Sequence, residues 1–272
     1  MRPTIADKRQ TFRDLHESGC FVIPNPWDAG SAAILQDAGF KALASSSAGF
    51  AWSHARSDYN VARDDLLAHL SALVEATDIP VNADFENGFA DDPDGVAANV
   101  ALAIETGIAG LSVEDSSWVE GDPLYDFDLS VARVAAARKA IDDSGANVFL
   151  TARSEGFFAG KPDFDDMLAR IRAYAEIGAD CLYAPGLREE DQIAAVIEAV
   201  APKPVNVLTF GLSVATLAGL GARRISVGGQ LARSAYADLH RVATDIAETG
   251  EFGAIGGGKL NLNKLFTGYR EG

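Results

Sequence analysis

Acids, hydroxyls and one arginine stand where apolar, strand-like runs of the chain end. IPVNADFE closes on Asp84 and Glu86, AGLSVED reaches Glu114, ANVFLTARSE reaches Arg153, and KALASSS closes on Ser45, Ser46 and Ser47. In a parallel α/β barrel the strand C-termini open on one rim, where chemistry is done. Three carboxylates, a guanidinium and a hydroxyl cluster on that rim would bind a divalent cation and a small carboxylate-bearing substrate. Inward-pointing carboxylates are costly without a cation. Mg²⁺ suits them because it takes oxygen ligands and keeps several waters; Mn²⁺ is the alternative.

Each residue has a role of its own in that expectation. Arg153 offers a planar fork for a carboxylate that lysine cannot copy, with Glu155 placed to orient it. Ser45, Ser46 and Ser47, followed by Ala48 and Gly49, could bind a second carboxylate or form an ordinary polar turn. Strand alternation puts Asn82, Asp84 and Glu86 on one side if extended geometry lasts that far; Asp84 or Glu86 could instead cap a loop. Glu114 and Asp84, on adjacent strands, could share one hydrated ion. Asn206, polar inside PVNVL, should bond the ligand or satisfy a neighbour. The histidines His16, His54, His69 and His240 show no metal-ligand spacing, and only His54 lies near the expected rim. The general acid is therefore left open among His54, Glu86 and a water on the metal.

Other signals carry less. GAIGGGKL at Gly253–Leu260 imitates a phosphate loop, but Leu260 stands where a Ser or Thr is needed and no strand precedes it. Gly228 and Gly229 could hold a phosphate at a helix N-terminus or form only a tight turn. Neither Cys20 nor Cys181 neighbours a histidine or lysine that would activate a thiolate.

The elements that must position these residues alternate regularly. Strands are predicted at Cys20–Pro24, Lys41–Ser45, Pro80–Asp84, Gly110–Glu114, Asn147–Arg153, Cys181–Ala184, Pro204–Leu208 and Arg224–Val227. Amphipathic spacing predicts helices at Trp27–Ala38, Arg63–Thr77, Pro93–Thr106, Leu129–Ser144, Phe164–Ile177, Glu189–Val200, Ser213–Leu220 and Gln230–Glu248. Asp92–Pro93 has the form of an N-cap followed by proline in the first helical turn. The turns QDAGF, ETGIAG, EIGADC and LAGLGAR place glycine where a helix stops and a strand begins. Eight strands alternating with eight helices predict a closed (β/α)8 TIM barrel rather than an open sheet. It forms a single domain over residues 1–272, with 251–272 as a C-terminal extension.

Composition narrows the function classes. A net charge of −16 over 272 residues argues against nucleic acid as a partner. No apolar run is long enough for a membrane span, and the polar start MRPTIADKRQTF lacks a secretory pattern. Two cysteines make no disulfide framework, so a cytoplasmic location is expected.

These residues, in this order, resemble the isocitrate lyase/phosphoenolpyruvate mutase superfamily, from NPWDAGSAAILQDAGF through LAGLGARRISVGG. The resemblance implies an α/β barrel that binds Mg²⁺ and a 2-oxo acid or related dicarboxylate and passes through enolate-like intermediates. It implies a homo-oligomer, tetramer or dimer, with a C-terminal helix exchanged between subunits. Asp58 matches the loop acid that reaches the metal through water, Asp84 the second acid of the D-x-D motif, and Glu114 the acid of V-E-D. Arg153 matches the arginine of A-R-[ST]-[DE], and Ser45–Ser47 fall where the family binds substrate carboxylate. Two departures stand out. Asn82 replaces the first D-x-D acid, and the K-[KR]-C-G-H loop of the lyases is absent, with DSSWVEGDPLYDFD in its place. The expectation is a Mg²⁺-dependent enzyme acting on a C–C bond of a small 2-oxo acid or dicarboxylate. The alternatives are a P–C mutase or hydrolase of the phosphonopyruvate type and a non-catalytic 2-oxo-acid binder.

Overall fold

Glycine ends several of the helices that lead into strands, because only a residue without Cβ enters the left-handed region at no steric cost. Gly39, Gly107, Gly178 and Gly221, the glycines of the four turns singled out above, have φ of 93°, 87°, 100° and 99°. Helix starts are equally explicit. Asp92 accepts the N–H of Gly95 at 2.8 Å with Pro93 in the first turn, and Asp28 and Ser31 cap each other reciprocally.

The computed structural model describes residues 2–253, 255–256 and 260–267. In chain order the elements are α1 (Ile5–Glu17), β1 (Phe21–Ile23), α2 (Ala29–Asp37), β2 (Leu43–Ala44), α3 (Ser47–Ser53), α4 (Arg63–Ala76) and β3 (Val81–Asp84). There follow α5 (Pro93–Glu105), β4 (Gly110–Glu114), β5 (Ser116–Val119), β6 (Asp122–Leu124), α6 (Phe127–Ser144), β7 (Phe149–Arg153), α7 (Phe164–Glu176) and β8 (Cys181–Tyr183). The chain continues through α8 (Glu190–Val200), β9 (Val205–Leu208), α9 (Val214–Gly219), β10 (Arg224–Ser226), α10 (Gln230–Thr249) and α11 (Leu262–Thr267).

Eight parallel strands run in the order β1-β10-β9-β8-β7-β4-β3-β2. The N–H of Ala44 donates to Pro24 O at 3.1 Å, and Asn25 Nδ2 donates to Ser45 O at 3.0 Å. These bonds bring β2 to β1, so the sheet forms a nearly closed barrel with helices between its strands, the predicted (β/α)8 architecture. Every predicted strand is present.

Three elements were not anticipated. The first, α1, is held as much by cations as by apolar contacts. Lys8 Nζ donates to Val74 O and Thr77 O at the end of α4, while Arg9 donates to Ile104 O and Ile108 O beyond α5. Cations suit these positions because helix C-termini carry partial negative charge. Phe12 and His16 of α1 pack on Phe149. The second is α3, which makes the serine run a helix start rather than a turn: Ser46 caps it by accepting the N–H of Gly49. The third is the β5–β6 antiparallel hairpin in the DSSWVEGDPLYDFD segment.

The amphipathic α10 buries only Ala232 along its 20 residues. The phosphate-loop look-alike at Gly253–Leu260 and the 251–272 extension lie partly outside the described residues. Among the described residues, no helix is long and apolar enough to cross a membrane.

Candidate active site

A cavity of about 520 Å³ is lined by residues from the C-terminal ends of β2, β3, β7, β8, β9 and β10 and the loops beyond them. Asp84 ends β3 inside it. Its amide donates to Ser45 Oγ at 2.8 Å, and its Oδ2 accepts from Ser47 N at 3.1 Å and Ser47 Oγ at 2.9 Å. Its Oδ1 accepts from Arg153 Nη1 at 3.2 Å. The serine run, the β3 acid and the β7 arginine are thereby one connected group on the cavity wall.

Arg153 is the cation of a crowded acidic cluster. Its Nη1 also lies 3.1 Å from Glu114 Oε2, and its Nε donates to Glu155 Oε1. Its Nη2 donates no hydrogen bond to the described residues. Register explains the meeting, since Glu114 and Arg153 are paired across β4 and β7. Glu114 is fully buried, both of its oxygens lack a hydrogen-bond donor, and it does not line the cavity. Burial drives its carboxyl well above the usual range, opposed by Arg153. The same neighbours hold the Arg153 guanidinium charged.

Glu86 departs from the alternation expected of it. The strand ends at Asp84, and Glu86 adopts φ 47°. Its side chain is buried beside the cluster but does not line the cavity. Burial, then Asp84 and Asp58, push its carboxyl up to about 8. Asp58 lines the cavity, with Oδ1 3.5 Å from Ser47 Oγ, and burial and Asp84 raise it to about 6. His54 is exposed at the C-terminal end of α3, its Nδ1 3.0 Å from Ser53 Oγ, and does not line the cavity. Asn206 lines the cavity and is also satisfied by neighbours: Arg224 Nε donates to its Oδ1 and its Nδ2 donates to Ser226 Oγ, both at 2.9 Å.

Among the described residues, no three His, Cys, Asp or Glu side chains form a ready-made cage for a metal ion. Mg²⁺ does not need one, because it binds through one or two carboxylates and retains water. Asp84 and Asp58 supply that smaller donor set. Burial raises the carboxyls of Asp58 and Glu86 first, and the neighbouring acids add a repulsion that a divalent cation would relieve. The residues fit a hydrated divalent ion held at Asp84 and reached by Asp58.

Several cavity residues escaped the sequence reading. Arg224 meets the criterion that singled out Asn206, a polar residue inside an apolar strand, and it donates to Thr151 Oγ1 from the barrel interior. Asn25 has no such signal. Its Oδ1 accepts from Val227 N and Gly228 N at 3.0 and 2.8 Å. Those amides are thus occupied, and a Cβ on Gly229 would meet the Trp52 ring at 2.9 Å. The Gly228–Gly229 pair packs closely at the start of α10 and lines the cavity.

An α/β barrel with an acid-rich, arginine-centred mouth defines the class of this protein. The sequence profile of phosphoenolpyruvate phosphomutase matches residues 12–247, and the chain belongs to that family, within the isocitrate lyase/phosphoenolpyruvate mutase superfamily. A crystal structure from Burkholderia cenocepacia J2315, provisionally described as a lyase/mutase, superposes with a TM-score of 0.93 at 45% identity over 96% of each chain. Protein Rv1998c of Mycobacterium tuberculosis strain H37Rv, of uncharacterized function, is 33% identical over 80% of this chain and 81% of its own. A Corynebacterium glutamicum relative, described as a probable 2-methylisocitrate lyase, is 29% identical over 84% of this chain and 76% of its own. Members of the superfamily are enzymes, lyases or mutases among them.

Proposed function

We propose that this protein is a Mg²⁺-dependent lyase or hydrolase acting on a C–C bond of a small 2-oxo acid or related dicarboxylate. The observation that supports this best is the Asp84 carboxylate, held at the cavity wall by Ser47 on one side and Arg153 on the other. Asp84 and Asp58 would hold the ion, with Glu114 acting from behind through Arg153. When bound, the ion supplies electrostatic stabilisation for negative charge developing on a 2-oxo oxygen, worth several kcal/mol. Arg153 keeps Nη2 for a substrate carboxylate while its other nitrogens are locked by acids, which restricts its rotamers before substrate arrives. Ser45, Ser46 and Ser47 line the cavity beside Asp84, where they could serve a second substrate carboxylate, and Asn206 lines it as well. Burial, then Asp84 and Asp58, push the Glu86 carboxyl up to about 8, which favours its protonated form beside those acids. Neither Glu86 nor His54 lines the cavity; we take Glu86 as the candidate general acid because it is buried beside Asp84, whereas His54 is exposed.

The reading extends to context. Two free cysteines are consistent with a cytoplasmic protein. The thinly buried α10, with Leu231 and Leu239 exposed, is consistent with a homo-oligomer, tetramer or dimer.

The test is turnover of oxaloacetate and its alkyl homologues with Mg²⁺ by the native protein and by Asp84→Ala. A native rate lost in the variant supports the reading; equal rates in both remove the metal role. The family match favours one second reading, P–C bond chemistry on phosphonopyruvate. Phosphorus NMR of the products separates the two.

A further inference from the structure

The acid cluster occupies one wall of the cavity, and the mouth is aromatic. Six rings line it: Trp52, Tyr59, Trp118, Phe158, Tyr183 and Phe210. Five of them come from segments beyond strand ends. Trp52 and Tyr59 follow β2, Trp118 lies in the hairpin after β4, Phe158 follows β7 and Phe210 follows β9. Tyr59 stacks on Trp118, and Phe158 stacks on Phe210 with ring centroids 6.1 Å apart. Both members of the first pair hold left-handed backbone, with φ of 59° and 57°. That conformation is uncommon for bulky residues and is retained where the surroundings over-determine it, typically at ligand sites. Phe158 is 50% exposed and Trp118 37%. Apolar rings left in water at a cavity mouth are characteristic of a binding surface.

Size points the same way. A cavity of about 520 Å³ lies in the range that encloses drug-sized ligands. A four-carbon diacid gripped at Asp84 and Arg153 would fill only a fraction of it and touch few of the rings. We propose that the substrate is a 2-oxo acid or diacid carrying an aryl or long-alkyl substituent, with its acid end at Arg153 and the substituent among the mouth aromatics. This rests on the reading of the acid end given above and adds the class of substituent. Arg188 and Arg233, the latter itself lining the cavity, flank the arrangement. Their guanidinium carbons lie 4.2 Å from the Phe210 centroid and 5.1 Å from the Trp52 centroid, which steadies those rings.

The experiment compares pyruvate, phenylpyruvate and 4-phenyl-2-oxobutanoate by calorimetry in the presence of Mg²⁺, using the full chain. Phenylpyruvate is expected to bind on the order of tenfold tighter than pyruvate, since a ring leaves water for an apolar wall. That ratio should shrink to about two- or threefold in Phe210→Ala and in Phe158→Ala. The second variant truncates a half-exposed ring, so its folding is not at stake. If pyruvate binds and phenylpyruvate binds no better, the substituent class is wrong and the reaction assigned to the acid end survives. If neither binds, both readings fall. Tight phenylpyruvate binding with no turnover of any aryl- or alkyl-substituted oxaloacetate would keep this inference and remove the lyase assignment.

Discussion

The two mouths of the barrel bury charge in opposite ways. At the N-terminal mouth, α1 inserts Phe12 and His16 against Phe149, and burial holds the His16 imidazole near pKa 3. The titratable group there is neutral and stacked on a ring 4.1 Å away. At the C-terminal mouth, Asp58, Asp84, Glu86, Glu114 and Glu155 crowd one guanidinium, and two oxygens of Glu114 have no donor. At one end the cations Lys8 and Arg9 are answered by backbone carbonyls, and the imidazole is neutral. The other keeps charges that do not satisfy one another, and such strain marks functional sites.

Mutations at the two mouths should therefore report on different things. The largest effect is expected from Asp84→Ala, which should lower turnover about 10³-fold, roughly 4 kcal/mol of transition-state stabilisation. Its thermal midpoint should move little, because one acid leaves a crowded cluster. Steady-state kinetics beside a melting curve checks both halves. Phe12→Ala should do the reverse, costing about 3 to 4 kcal/mol of stability through a cavity in the plug and leaving KM unchanged. A KM shift in that variant would break the separation between the two ends. Arg153→Lys should reduce kcat/KM by roughly 10- to 100-fold, since an ammonium cannot serve Asp84, Glu114 and a substrate carboxylate at once.

The smallest effects are in pH dependence, and the two mouths carry opposite signs. Glu86 rises from 4.5 to about 8 on folding. Between those values the native state keeps a proton that the unfolded chain has released, so its contribution to stability falls as pH rises. His16 drops from 6.5 to about 3. In that window the unfolded chain binds a proton that the native state refuses, so stability falls as pH is lowered. Urea unfolding should show Glu86→Gln gaining stability at pH 8.5 relative to pH 5.5, by roughly 1 to 3 kcal/mol. His16→Leu should lose its acid-side decline instead. Addition of Mg²⁺ should raise the native midpoint most at the alkaline end, where the mouth carboxylates are charged. An equal gain at pH 5 would argue against an ion at Asp84.

Much of this was written in local pattern. The eight strands, the four glycine joints and the proline-marked start of α5 follow from φ preferences and apolar spacing, which act within a few residues. The clustering of Asp84 and Arg153 follows too, because strand C-termini must share a rim. Helix α1 stayed hidden because Lys8, Arg9 and Arg13 earn their place by reaching carbonyls far along the chain. The α3 start stayed hidden for a different reason: three consecutive serines read as a carboxylate site or an ordinary polar turn.

By itself, then, the sequence determined the order of strands and helices, the rim on which acids and arginine would gather, and the family to which the chain belongs. Only the tertiary structure decided which side chains face the cavity. It turned Glu86 out of the alternation at a left-handed residue, set Glu114 behind Arg153, and gathered rings from distant loops into one mouth. Those outcomes depend on strand stagger and loop packing, which join residues far apart in the chain and leave no periodic trace along it.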